Sequence, residues 1–349
     1  MKISVLINNF NYGRFLAEAI DSALAQTHRD VEVVVCDDGS TDESWAVIRR
    51  YGARVRSWRS PVNLGQASAM NAGMALCSGD WVLFLDSDDA LEPDALARCV
   101  PLMAPEVAKI QFRLRCVDGL GGCLGRRIPY LMHEGDVRPL IGRFGTYAGP
   151  PSSGNLYRRS AIARYFPLDP DDWRRAADTP PFLLAAFHGR VISVTEALGR
   201  YRVHSAANRA QGCFGNIATR PAQMLRVDIH RRETTLVLLR RHHGVVLDGP
   251  FLPAPWTLHM RALSWRTEGP RHPYPDDSVA GLLRLQAASQ AACPGYTAPE
   301  RLAARLWLLA VLLLPRTVAV RLAIHDLSWN LRRWLARWRG APAHGETGA

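Results

Sequence analysis

Short apolar runs alternating with amphipathic stretches fill the first hundred residues. Ile3 to Ile7, Val31 to Cys36 and Trp81 to Leu85 are hydrophobic runs of five or six residues, the pattern of strands buried on both faces. Between the first two, Phe15, Leu16, Ala19, Ile20, Ala23 and Leu24 repeat at helical spacing and predict a helix with one apolar face. Val55 to Trp58 reads as a further strand, and Ala67 to Leu76 as a small-residue helix ending near Gly79. Ser40 with Glu43 three residues on has capping-box spacing, so a helix is expected to begin there. Strand, helix, strand, helix in this rhythm predicts an α/β fold, a doubly wound and mostly parallel sheet flanked by helices.

The candidate chemistry gathers where two of these strands end. Three carboxylates, Asp86, Asp88 and Asp89, follow the Trp81 run within four positions, and Pro93-Asp94 then suits the first turn of a helix. Taken alone, the acids fit a solvated turn equally well. The Val31 run also empties into acids, Asp37-Asp38-Gly39-Ser40-Thr41-Asp42. In an open α/β sheet both sets belong at the carboxyl edge, where ligands bind. Carboxylates crowded at such a rim repel one another unless a cation relieves them. No Gly-x-Gly-x-x-Gly follows the first strand and no Gly-x-x-x-x-Gly-Lys-Ser/Thr occurs, which disfavours dinucleotide and P-loop readings. A nucleotide held by acids fits better: one carboxylate for base or ribose, and another pair acting through a divalent cation on a diphosphate.

Residues 1–100 resemble the nucleotide-binding half of family 2 glycosyltransferases, which have the glycosyltransferase-A fold. The resemblance runs through Val5-Leu6-Ile7-Asn8-Asn9-Phe10-Asn11, Val35 to Asp42, Asn63-Leu64-Gly65, Asn71-Ala72-Gly73, Ser78-Gly79-Asp80 and Phe84 to Asp89, in order and at family spacing. It implies that Asn8, Asn11 and Asp38 contact the base and ribose of a nucleotide-sugar (UDP-, GDP- or dTDP-linked). It also implies that Asp86-Ser87-Asp88 is the family's Asp-x-Asp motif, with Asp88 the ligand of Mn²⁺ or Mg²⁺. Two departures stand out. The family's Thr-Tyr-Asn is represented by Asn8, Phe10 and Asn11, and Met70 stands where many members carry Arg before the Asn71 equivalent.

Farther on, Ile110 to Leu114 reads as a strand and Gly119 to Gly125 as a loop or hairpin. Gly149 to Arg159 either shapes the acceptor side of the cleft, as its family counterpart does, or is a Pro/Gly connector. Tyr201-Arg202-Val203-His204 resembles the family's Tyr-Arg-x-His, and the acidic pair expected some twenty to thirty residues before it falls on Ala177-Asp178. The resemblance then makes Asp178 the general base, with Asp172 the substitute under a shifted alignment and a helix N-cap the structural alternative for Asp178. His204 would reach the metal or the diphosphate oxygens, and Arg202 would brace its loop. The implied reaction is inverting, metal-dependent transfer of a sugar to a hydroxyl of a saccharide or lipid-linked acceptor. The rival readings are a non-catalytic nucleotide-sugar-binding relative acting as a partner protein, and a nucleotidyltransferase. The latter would want a Gly-rich basic loop where Asn8-Asn9-Phe10 stands.

Composition changes the picture mainly at the C-terminal end. The net charge of +11 is uneven: residues 1–110 carry 10 Lys+Arg against 15 Asp+Glu, and the remainder 33 against 17. From 301 to 340 there are eight arginines and one acid, Asp326, with Trp329, Leu331, Trp334, Leu335 and Trp338 interleaved. That composition suits peripheral contact with an anionic membrane, or docking on protein. Leu306 to Leu314 is apolar but far shorter than the ~20 residues of a membrane span. No nucleic-acid motif accompanies the arginines, so nucleic acid is not an expected partner. Seven scattered cysteines without a Cys-x-x-Cys, and no signal peptide after Met1-Lys2, point to a cytoplasmic protein, peripheral on the inner membrane face if bound there. The expected divisions are 1–115, nucleotide-sugar binding; 116–215, acceptor binding; and 216–349, a mainly helical extension. In that extension Ala222 to Arg241 and Ala280 to Ala292 are helices separated by a Pro-rich stretch from Pro250 to Pro275.

Overall fold

The computed structural model describes residues 1–204, 221–247 and 251–319. Contacts divide the chain into two compact units: Met1–Ile141, Tyr147–Phe214 and Glu233–Leu247 form the first, and Gly142–Thr146, Gly215–Arg232 and Asp248–Ala349 the second.

The chain begins with β1 (Ile3–Asn9), α1 (Gly13–Leu24), β2 (Val31–Asp37), α2 (Ser44–Arg49), β3 (Arg56–Arg59), α3 (Gln66–Leu76) and β4 (Trp81–Asp86). It continues through β5 (Ala90–Leu91), α4 (Ala95–Cys99), β6 (Val107–Val117), β7 (Cys123–Ile128), α5 (Arg138–Phe144), β8 (Asn155–Arg158), α6 (Arg159–Ile162), α7 (Thr179–Leu184), β9 (Arg190–Arg202) and α8 (Pro221–His243). One sheet joins the strands in the order β3-β2-β1-β4-β8-β6-β9-β5, with β7 paired outside that path to β6. The first four are parallel, and Val5 lies between Val33 and Leu83 across the ladder. β8 is antiparallel to both β4 and β6, whereas β9 runs parallel to β6.

Apolar residues cover the sheet on both faces. Ile3, Val5 and Ile7 pack with Leu16 and Ile20 of α1, while Leu6, Val34 and Phe84 pack with Met70 of α3 and with Trp173. Each fully buried side chain of this size stabilises the fold by about 1.5–3 kcal/mol. The small residues of α3 let it lie close: a Cβ on Gly73 would stand 2.2 Å from Leu6 Cδ1. Met70 has no exposed surface. It fills core, so the Arg-to-Met departure places an apolar side chain in the interior.

Two expectations fail. Ser40 and Glu43 make no capping box: α2 starts at Ser44, and Glu43 at its N-cap makes no capping bond. Ser40 is drawn instead to the buried Asp37 carboxylate, donating to Oδ1 at 2.5 Å. The Pro-rich separator contains a helix, α9 (Pro255–Glu268), because Pro255 takes the first helical position, where its missing N–H costs nothing. In the second unit α9 packs with α10 (Val279–Ala292) and α11 (Ala298–Leu313) around Leu258, Ala262, Leu282, Leu308, Val311 and Leu312. Among the described residues no helix is long and apolar enough to cross a membrane. The Trp/Arg stretch beyond 319 lies outside the described residues.

Candidate active site

The parallel order β2-β1-β4 brings the acidic strand ends to one edge. Asn8 at the end of β1 pairs in register with Cys36 on one side and Asp86 on the other, and Asn9 pairs with Asp37. Asp37, wholly buried, is held by Asn9 Nδ2 (2.8 Å), Ser40 and Arg59 Nε (3.3 Å). Asp38 accepts backbone N–H bonds from Leu64 (2.9 Å) and Gly65 (2.7 Å), one on each oxygen. This carboxylate therefore pins the Asn63-Leu64-Gly65 turn against the edge. Burial pushes its pKa up, and the two N–H bonds oppose that shift. Gly39 next to it has φ +72°, and a Cβ there would meet the Val62 carbonyl carbon at 2.4 Å. Arg174 Nη2 donates to Asn63 Oδ1 at 2.8 Å and closes the same turn.

Asn11, at φ 58°, accepts from Thr41 N (2.8 Å), so its amide oxygen braces the loop. Asn8 differs: its Oδ1 is buried with no hydrogen-bond partner among the described residues. An orphaned acceptor at the strand edge is the kind of group a ligand donor satisfies.

Asp86-Ser87-Asp88-Asp89 forms a turn closed by Asp89 N to Asp86 O at 3.0 Å. Ser153, sixty-odd residues away, ties it together: its Oγ accepts from Asp86 N (3.1 Å) and donates to Asp89 Oδ2 (2.6 Å). Asp89 Oδ1 accepts from Arg202 N (2.9 Å), and Arg202 Nε donates to Asp88 O (2.9 Å). Arg202 also pairs with Glu18 and lies over the Phe15 ring, 4.7 Å from its centroid. It braces the acidic turn from β9. His204 Nε2 meets Asp88 Oδ2 at 2.6 Å, with its ring against Tyr12 and Phe15. Its buried Nδ1 has no partner among the described residues. Burial, then the charge of Asp88, then that of a neighbouring carboxylate push Asp86 and Asp89 well above the usual carboxylate range.

For Asp86 that further neighbour is Asp178. Asp178 stands at the N-cap position of α7, yet its side chain makes no capping bond. Asp172 is exposed, and its backbone N lies within the Asp169 turn. Asp178 is thus near enough to Asp86 for its charge to act on that carboxylate. Ala177 beside it is fully buried.

The family model for glycosyl transferase family 2 matches residues 4–166. An uncharacterized glycosyltransferase of Nostoc sp. is 35% identical over 256 residues, 71% of this chain and 79% of that protein. The chain belongs to glycosyl transferase family 2. The Escherichia coli UDP-Glc:alpha-D-GlcNAc-diphosphoundecaprenol beta-1,3-glucosyltransferase WfaP is 33% identical over 88 residues, 25% of this chain and 35% of that protein. Among solved structures, residues 1–349 of S. aureus TarS align with a TM-score of 0.53 at 17% identity, covering 97% of this chain and 92% of that one. The mannosyltransferase PcManGT from Pyrobaculum calidifontis, solved with GDP-Man and Mn²⁺, gives 0.50 at 17% identity over 95% and 86%. The fold of this glycosyltransferase is accordingly the glycosyltransferase-A fold.

The acidic turn fits a divalent cation. Its donors are hard carboxylate oxygens, and their mutual repulsion is what a cation relieves. Both oxygens of Asp89 are engaged, by Ser153 and Arg202, whereas Asp88 is held through Oδ2 alone, by His204, so Asp86 and Asp88 are the carboxylates that can offer an oxygen to a ligand. Among the described residues no three His, Cys, Asp or Glu side chains already form a metal cage. One or two carboxylates completed by substrate phosphates is the usual arrangement for Mg²⁺. The glycosyltransferase also holds two residues that spacing along the chain does not reveal, Ser153 and Lys109. Ser153 reaches Asp86 and Asp89 because β8, which it precedes, pairs with β4, whereas Lys109 is buried on β6 against Gln111 and Tyr147.

Proposed function

We propose that this glycosyltransferase moves a sugar from a nucleotide-diphosphate sugar to a hydroxyl of a saccharide or lipid-linked acceptor, with inversion at the anomeric carbon. The reading is supported by the gathering of Asn8, Asp38, Asp86 and Asp88 at one sheet edge, with Asp178 near enough for its charge to act on Asp86. A general base and a diphosphate-binding site must sit on either side of one reacting carbon. Asn8 and Asp38 line the edge where the nucleoside would bind, and Asp86 and Asp88 would hold Mn²⁺ or Mg²⁺, with His204 fixing Asp88. A cation bound there supplies charge neutralisation for the departing diphosphate. Asp178 takes the proton of the attacking hydroxyl as the new glycosidic bond forms and the bond to the diphosphate breaks. One base without a covalent intermediate gives inversion. A lipid-linked acceptor is supported by the likeness to WfaP, and a UDP or GDP donor by that likeness and the one to PcManGT. The proposed division is a donor half, 1–115, an acceptor half, 116–215, and a helical extension, 216–349.

Donor hydrolysis across a panel of UDP-, GDP- and dTDP-linked sugars, with and without Mn²⁺, tests the reading. Metal-stimulated release of nucleoside diphosphate from at least one donor is expected. Binding of a donor with no turnover under any metal would favour the rival, a non-catalytic relative.

A further inference from the structure

The β6–β7 hairpin gathers three arginines on one face of the sheet. Along β6, Ile110, Phe112 and Leu114 enter the core, so Lys109, Gln111, Arg113 and Arg115 share the opposite face. Arg115 pairs in register with Arg127 of β7, and like charges directly opposite one another destabilise a ladder. Arg113 is half-buried: its Nη2 donates to Tyr130 O at 3.3 Å, while its buried Nε has no hydrogen-bond partner among the described residues. Burial first, then the charge of Arg127, lower its pKa. Among the described residues Arg113, Arg115 and Arg127 make no ion pair.

That face leads to the acidic turn. Val82 of β4 and Lys109 of β6 both pair with Tyr157 of β8. Asp86 and Arg113, each four residues farther along, therefore stand level on one face of the sheet, two strand spacings or about 10 Å apart. Arg115, with Arg127 beside it, follows two residues on, roughly 7 Å past that level. At the end of the hairpin Leu120 and Leu124 are 87 and 43% exposed. An acceptor made of a sugar, a diphosphate and a hydrocarbon chain meets these groups in that order: its hydroxyl at the acids, its diphosphate at the arginines and its chain at the leucines.

We propose that Arg113, Arg115 and Arg127 form a subsite for the diphosphate of a lipid-linked acceptor. A guanidinium binds phosphate oxygens through parallel N–H bonds and keeps its charge when half-buried. A diphosphate bound there relieves the repulsion between Arg115 and Arg127 and gives the buried Arg113 Nε an acceptor. The inference deepens the proposed acceptor class and rests on the reading of the chain as a transferase to such an acceptor.

Farnesyl diphosphate is the probe, titrated by calorimetry into the full chain in EDTA, so that no cation bridges it to Asp86 and Asp88. Saturable binding is expected, and Arg115→Gln with Arg127→Gln should weaken it about tenfold to a hundredfold. Since the double variant removes a repelling pair, its Tm should not fall, and its Mn²⁺-stimulated UDP binding should match wild type. Arg113→Gln should weaken the probe in the same direction. Farnesol should not compete, and inorganic pyrophosphate should compete more weakly than farnesyl diphosphate. Leu120→Ser should narrow that last difference. No binding to the wild type, or equal binding in the double variant, overturns the subsite. Capture by phosphatidylglycerol vesicles that the double variant loses, without binding of farnesyl diphosphate, assigns the arginines to lipid headgroups and overturns it too. Farnesyl diphosphate binding that the double variant loses, in a protein that turns over no UDP-, GDP- or dTDP-linked sugar, upholds the subsite and sinks the transferase reading instead.

Discussion

Asp178 and Asp88 make opposite demands on their surroundings, and their environments differ accordingly. Asp178 forms no capping bond on α7, which suits its proposed role as proton acceptor. Asp178→Asn keeps the shape and removes the basicity, and is expected to lower kcat by about 10²–10⁴. Donor affinity, measured by calorimetry with the nucleotide-sugar that is turned over, should change little. Asp88 is tied to His204, so Asp88→Asn removes both a hard oxygen and the partner of a buried imidazole. The expected result is loss of Mn²⁺-stimulated nucleotide binding, with metal-free binding retained. Equal stimulation in the variant would move the cation elsewhere. Gly39 carries a backbone demand instead: at φ +72° and against Val62, Gly39→Ala should distort the loop that Asp38 pins. A lower Tm together with weaker nucleotide binding would register it.

At the scale of elements, Tyr165, His188 and the end of α8 form a joint whose stability follows pH. The Tyr165 hydroxyl bonds His188 Nε2 at 2.7 Å and also bonds His243 Nε2. Two neutral imidazoles suit one phenol, one donating and the other accepting. Burial first, then the neighbouring His243 and arginines, lower His188 to about 4 from an ordinary 6.5, and His243 is lowered as well. Below pH 6.5 the unfolded chain binds protons that the folded one refuses. This contribution is therefore full above pH 6.5 and is lost as pH falls toward 4. Melts of wild type against His188→Gln should show a smaller fall of Tm in the variant across that window, and equal slopes would refute the coupling. Local patterns made β1, β2, β4, α1 and α3 legible in the sequence, because their apolar residues follow one period each. The capping box at Ser40 misled because a buried Asp37 outbid the helix end for that hydroxyl. Ser153 and Lys109 left no local trace. Their meaning depends on β8 pairing antiparallel between β4 and β6, a contact across scores of residues that no periodicity encodes.

For the molecule as a whole, charge and exposed apolar surface concentrate toward the C-terminal end of the described chain. α11 has two faces. Ala304, Leu308, Val311 and Leu312 are buried in the second unit's core, whereas Leu302, Leu306 and Leu313 are 58, 55 and 66% exposed. Arg301 and Arg305 lie on the same helix and Arg316 follows it. Outward leucines beside arginines suit a surface of anionic lipid, with the leucines entering the interface and the arginines meeting headgroups. Deleting everything after residue 299 would be a poor test, because it also removes Leu308, Val311 and Leu312, each worth about 1.5–3 kcal/mol of burial. Leu302→Ser with Leu306→Ser spares that inner face. The full chain is expected to sediment with phosphatidylglycerol-containing vesicles at low salt, to remain in solution with phosphatidylcholine alone, and to be released as salt shortens the Debye length. The double variant should keep the wild-type Tm and lose several-fold in vesicle binding. Sedimentation that ignores lipid charge, or that the double variant retains in full, would remove α11 from the membrane contact and leave its outer face to a protein partner.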